Sequence, residues 1–438
     1  MDMEILRDVI KKAQNFGADS VDIKLQKKKG IAVATRMTKL ENITQSEILN
    51  VNMQVFIGKK SANIITNNLT ELQENSFVEK AIFAAKNSPE ELVNSRADAS
   101  QLCKNFKKID IFDPTEMSGK RLLEKAVKCE SMALQTKGIT NSGGAQLENT
   151  FTKTILMKSE GFFGEYEKSV SGIAIETLAE KNGELQRDYA YSNAIYVADM
   201  KTPEQIAQES ADMTIKKLGS RKIKSCRVPI LFHKRVGRSL LKNLLSALNG
   251  SAVAKGTSFL KDKLSRQVFS RHLNISDRYD LDRGLRSRPF DADGLECMNT
   301  KLISSGVVNS FLLNTKYARK LGLASTANSS AVDEISPNEV FMENGNTSFE
   351  DLLKNIKHGL FVVDLLGNGL NIVTGNYSQG AAGFWIENGE ITYPVHEITI
   401  AGNFIDMLSN CSIGSDMEIK SGWGSPTILL DEMIVGGI

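Results

Sequence analysis

The chain has few of the residues from which self-contained active sites are usually built. Four histidines serve 438 residues, and no two of them stand three, four or five positions apart. A zinc hydrolase helix needs such a pair, with a Glu between to activate the metal-bound water. The one His-Glu pair, His396-Glu397, is followed by Ile400 and Ala401 where a second ligand would have to be. Its alternation with Val395, Ile398 and Thr399 reads as a strand. Five cysteines at 103, 129, 226, 297 and 411 form no CxxC pair and no disulfide framework, which points to a reducing, cytoplasmic setting. There is no G-x-S-x-G elbow and no phosphate-binding G-x-x-x-x-G-K-[ST] loop. No apolar run approaches the ~20 residues of a membrane span, and the acidic start Met1-Asp2-Met3-Glu4 is unlike a signal peptide. Charge of one sign is also missing. Lys+Arg total 54 against 52 Asp+Glu, a net +2 that leaves no broad positive field for nucleic acid.

What is present describes a soluble globular protein, 41% hydrophobic and 24% charged. Its length exceeds the roughly 250–300 residues that one core supports, so at least two domains are expected. Ile5, Leu6, Val9, Ile10, Ala13 and Phe16 have helical spacing, with Gly17 placed to end the helix. Period-two alternation follows through Val21, Ile23 and Leu25 and through Leu49, Val51, Met53, Val55 and Ile57. A helix around Val78, Ala81, Ile82 and Ala85 precedes a polar, irregular connection over 90–115. Helix, strands and helix then recur up to Gly219. Leu40-Glu41-Asn42 reappears as Leu147-Glu148-Asn149, a weak sign of an internal repeat.

The run Lys216, Lys217, Arg221, Lys222, Lys224 and Arg227 lacks interleaved aromatics and reads as a solvated helix end and linker. This places one α+β domain over 1–220, with subregions near 1–90 and 115–220. A glycine-punctuated, mostly antiparallel β domain with few helices occupies 221–438. In the second half, Gly367-Asn368-Gly369 and Gly380-Ala381-Ala382-Gly383 read as turns or close backbone approaches, and Asn388-Gly389 as a hairpin turn. Asp277 to Arg283 and Asp291-Ala292-Asp293-Gly294 read as charged loop, since no Glu completes a calcium loop.

Several stretches resemble the TldD/PmbA family, formerly called modulators of DNA gyrase. Gly17-Ala18-Asp19-Ser20-Val21-Asp22 resembles its opening helix-to-strand segment. Phe290-Asp291-Ala292-Asp293-Gly294 followed by Ala318-Arg319-Lys320-Leu321-Gly322-Leu323-Ala324-Ser325-Thr326-Ala327-Asn328 resembles its central signature. Asn376 to Gly389 and Ile398-Thr399-Ile400-Ala401-Gly402-Asn403 resemble the PmbA/TldE branch. The resemblance runs in order along the whole chain.

That resemblance implies a zinc metalloprotease of two related subunits acting on unfolded peptides, in peptide-precursor maturation and antitoxin turnover. The TldD-type subunit carries H-E-x-x-x-H and a later Cys ligand. The matching positions here are His233, Lys234 and Arg238, so only the first His remains. Cys411 lies in a different context and takes no ligand role. The expectation is a PmbA/TldE-type subunit with no catalytic residues, metal or cofactor of its own. The zinc would lie in a TldD-like partner, with a homodimer as the other possible assembly. The alternative expectation is a non-enzymatic homodimeric regulator associated with gyrase. Neither reading involves a membrane or direct nucleic-acid contact.

Overall fold

The computed structural model describes residues 2–438. Helix α1 (Asp2–Asn15) buries Leu6, Val9, Ile10 and Ala13 on one face, as their spacing requires. Gly17, at φ +99°, then turns the chain into β1 (Ser20–Arg36). The long β2 (Lys39–Ile57) pairs antiparallel with β1 and the short β3 (Lys60–Thr66) with β2, and then come α2 (Leu69–Gln73) and α3 (Asn75–Asn87). Beyond an irregular stretch come α4 (Gly119–Gln135), β4 (Asn141–Lys158), β5 (Phe163–Lys181), β6 (Glu184–Ala194) and α5 (Pro203–Lys216). A helix, three antiparallel strands and a closing helix thus occur twice.

The strands form one six-stranded sheet ordered β3-β2-β1-β4-β5-β6. The two units join through the antiparallel β1–β4 pair, where Lys29 faces Phe151. Counted outward from that pair, the strands of both units follow in the same order, β1-β2-β3 and β4-β5-β6. The repeat is real in topology, but the Leu-Glu-Asn tripeptides are not its trace: one lies in β2 and the other in β4, which are not equivalent strands. Alternation places both helix sets on one face of the sheet. Val21, Ile23 and Leu25 pack with α1 and α3, while Ile31 and Val33 pack with α4 and α5.

The β1–β2 turn depends on a buried acid. Met37 and Thr38 have φ of 50° and 60°, and their N–H groups each donate at 2.9 Å to the fully buried Glu130 carboxylate on α4. Glu130→Ala should therefore lower stability by about 2 kcal/mol, the usual loss for hydrogen bonds to a charged group. Glu130→Gln, which keeps one acceptor, should lose less. Urea denaturation of the three proteins measures this.

In the second half, β7 (Cys226–Phe232) lies inside a six-stranded sheet, parallel to the strand His358–Leu366 and antiparallel to Ile428–Gly436. It feeds α6 (Lys234–Ala247), whose Leu240, Leu241, Leu244 and Leu245 enter the largest core with Ile230 and Phe232 of β7. A second six-stranded sheet includes Ile275–Arg278, Trp423–Ser425 and Glu418–Lys420. Gly383 is a point of close approach, as expected, since a Cβ there would lie 2.0 Å from the Phe361 carbonyl oxygen. Asn388 and Gly389, at φ 50° and 79°, form the expected hairpin turn.

Candidate functional site

The strand-to-helix step from β7 into α6 places the three family-motif positions together. His233 is the N-cap of α6, its Nδ1 accepting from the Arg235 N–H at 3.2 Å. Its ring meets Phe361 edge-on, with centroids 5.6 Å apart. Burial, with the Lys234 and Arg235 charges adding to it, pushes the imidazole down to about 4, so His233 is neutral near pH 7. Arg238 is one turn further along α6 and buried, its Nη1 3.3 Å from the Glu418 Oε2. Burial works against the Glu418 charge, but Lys420, Arg238, Lys234 and Lys201 together hold its carboxyl below the usual range. Lys420 stands two residues on, its Nζ 4.1 Å from the Tyr191 ring centroid. Burial lowers the Lys420 ammonium to about 8, Glu418 opposing and Arg238 and Lys201 reinforcing the shift.

Asp188 of β6 anchors this arrangement from the first half of the chain. It has no exposed side-chain surface and pairs with Arg235 Nη1 at 2.5 Å and Lys217 Nζ at 2.6 Å. Lys217 reaches Asp364 as well, at 3.1 Å, and the Arg235 guanidinium stacks 4.1 Å over Tyr189. One carboxylate thereby ties β6, the end of α5 and the start of α6 together, and Lys217 extends the tie to Asp364 of the strand His358–Leu366. The reading of the 216–227 run as solvated fails at Lys217, which is 4% exposed. Lys217 faces inward because the chain leaves α5 directly against two carboxylates.

The aspartates expected in charged loops are also misplaced by sequence reasoning. Asp277, Asp291 and Asp293 are buried. Asp277 accepts from Asn328 Nδ2 and the Asn338 N–H, both at 2.8 Å. Asp291 accepts from the Asp293, Leu295 and Ser329 N–H groups at 3.0 Å each, and Asp293 from the Thr315 N–H at 2.8 Å. Burial raises the Asp277 carboxyl to about 6 and the Asp291 carboxyl to about 7, Asp293 adding to the latter. These side chains brace loops by capping backbone donors, a habit of Asp in turns that the D-x-D-G pattern could have announced. The donors to Asp291 and Asp293 are backbone N–H groups, and Asp277 adds the side-chain amide of Asn328 to the Asn338 N–H.

Among the described residues, no three His, Cys, Asp or Glu side chains gather as metal ligands would. His396 and Glu397 lie on the strand Glu390–Asn403, and Glu397 pairs with Lys222 at 2.6 Å. Cys411 is buried, its thiol donating to the Leu408 carbonyl at 3.4 Å and pushed up to about 12 by burial. At the motif positions the only uncharged nitrogen donor is His233, and its Nδ1 is already engaged.

Residues 225–437 match the PmbA/TldA metallopeptidase C-terminal domain, and residues 112–218 match the central domain of the same family. Metalloprotease PmbA of Escherichia coli O157:H7 is 32% identical over 439 residues, covering 99% of this chain and 96% of its own length. A Bacteroides thetaiotaomicron structure named for modulation of DNA gyrase superposes with a TM-score of 0.92 at 23% identity, over 100% of this chain and 99% of that one. TldE from Thermococcus kodakarensis does so with a TM-score of 0.87 at 20% identity, over 99% and 100%. At those identities the two structures speak for the fold. The chain belongs to the PmbA/TldD metallopeptidase family.

Proposed function

We propose that this family member is the TldE-type subunit of a two-chain zinc peptidase that acts on unfolded peptides in the cytoplasm. In this reading it holds no metal, and a TldD-type partner supplies the zinc and the general base. The observation that carries it is the donor set at the start of α6. Lys234 and Arg238 occupy the positions of a Glu and a His in H-E-x-x-x-H, and Arg238 is already paired with Glu418. A unit charge ~4 Å from a unit cation is repelled by about 4 kcal/mol at an effective dielectric of 20, and a dication doubles this. An ammonium at position 234 cannot accept a proton from water, which removes the step a metallopeptidase base performs. These residues do not fit zinc, so no hydrolytic step is assigned to them. Their part is to shape one wall of the peptide path.

The test is capture of partners from native lysate by the tagged full chain, with identification by mass spectrometry. Stoichiometric recovery of a related chain carrying H-E-x-x-x-H is expected. Recovery of DNA gyrase without such a chain would favour a regulatory binding protein instead.

A further inference from the structure

The same corner of the molecule holds more positive charge than it neutralises. Lys234, Arg238 and Lys420 all act on one carboxylate, Glu418. Lys201, the fourth cation in reach, is engaged by Glu209 at 2.5 Å. Asp416, the other acid facing His233, is turned onto Thr427 and accepts from its N–H at 2.8 Å and its hydroxyl at 2.9 Å. Among the described residues neither Lys234 nor Lys420 has a carboxylate within ion-pairing distance. Three cations against one acid leave an excess of positive charge on side chains that are half-buried or buried, where screening is weak.

Beside them stand Tyr191, under the Lys420 ammonium, and Tyr189, whose ring stacks with Tyr191 at 6.2 Å between centroids. Tyr189 is half exposed. Cations beside an apolar aromatic wall suit a ligand with a carboxylate next to an apolar group.

We propose that Lys234, Arg238 and Lys420 form a binding site for a carboxylate of an unfolded peptide, whose neighbouring apolar side chain lies on Tyr189 and Tyr191. This inference rests on the peptide-handling function proposed above and adds what that subunit reads in its ligand. At positions 234 and 238 the side chains are themselves cations, so a ligand's negative end is recognised directly. The lowered Lys420 ammonium is consistent with such a site, because an arriving anion restores its preferred charge.

The carboxylate can come from a chain end or from an acidic side chain. Three fluorescent octapeptides of the same apolar sequence separate these sources: one with a free C-terminus, one amidated, and one amidated with a terminal Glu. Binding to the purified full chain is followed by anisotropy. The free acid should bind about tenfold more tightly than the amide, since hydrogen bonds to charged groups are the stronger kind. Recovery by the Glu peptide would add side chains as a source of the same chemistry, and its failure would assign the site to the chain end. Lys420→Met and Lys234→Met should each shrink the acid-to-amide ratio, while Lys420→Arg should keep most of it. Circular dichroism melting confirms that each variant is folded. Equal binding of acid and amide, a ratio unchanged in both methionine variants, or no peptide binding at millimolar concentration would each overturn the proposal. None of those outcomes touches the partner-capture result, which does not depend on the peptide's end group.

Discussion

Asp188→Ala should destabilise the chain by about 3–5 kcal/mol, the loss expected when one member of a buried ion group is removed. The residue has no exposed side-chain surface and serves two cations, Arg235 and Lys217, both well buried themselves. Its removal leaves Lys217 with Asp364 and Arg235 with no carboxylate within reach among the described residues. Attraction lost in this way is compounded by desolvation, because neither cation can retreat into water without moving α6 or α5. Asp188→Asn keeps the volume and loses the charge, so it should be nearly as harmful. The exposed pair Lys153–Glu165, 3.1 Å apart, is the control: Lys153→Ala should lose less than about 1 kcal/mol. Denaturation midpoints at pH 7 compare all three. A loss below about 1 kcal/mol for Asp188→Ala would mean that the hub carries no net stability.

His233 should make stability depend on pH in a defined window. An unfolded histidine takes up its proton near pH 6.5, whereas His233 in the fold does so at about 4. Between those values the unfolded chain binds a proton that the native chain refuses. Stability contributed by His233 is therefore complete above about pH 6.5 and is lost as the pH falls towards 4, by at most roughly 3 kcal/mol. Asn is a good N-cap and does not titrate, so His233→Asn should keep the Arg235 N–H satisfied and remove this contribution. Wild type minus variant, measured by denaturation at pH 7, 5.5 and 4.5, isolates His233 from the carboxylates that titrate in the same range. Parallel curves would show that the imidazole is not held neutral.

Strand alternation, helix periodicity and turn glycines made most of the architecture legible, because each is a local consequence of backbone geometry. Gly17, Gly383 and Asn388-Gly389 were readable for that reason. The recurring element order around β1 and β4 was legible too, but the pairing that joins the two copies into one sheet was not, since it leaves no shared residues as a trace. At the site, the β7-to-α6 step and the cationic replacements at 234 and 238 stood out against the family motif. Asp188 did not. Its partners are 47 residues away at Arg235 and, at Lys217, across the packing of α5 on β6. Nor did Lys217 differ in sequence from the solvated lysines beside it. Only the position of two carboxylates on other strands decides which member of that run is buried. Glu418 and Lys420 were equally silent, lying on a three-residue strand that no period reveals.

The proposed role gives this chain no metal centre and a part in proteolysis only through a TldD-type partner. Elemental analysis of the purified chain, paired with an unfolded fluorogenic peptide assay, tests it most directly. Zinc far below one per chain and no chelator-sensitive cleavage are expected of the isolated chain, with stoichiometric zinc and cleavage appearing once a TldD-type chain is added. About one zinc per chain in the isolated protein, with cleavage that a chelator abolishes, would mean that a complete ligand set exists here and would contradict it.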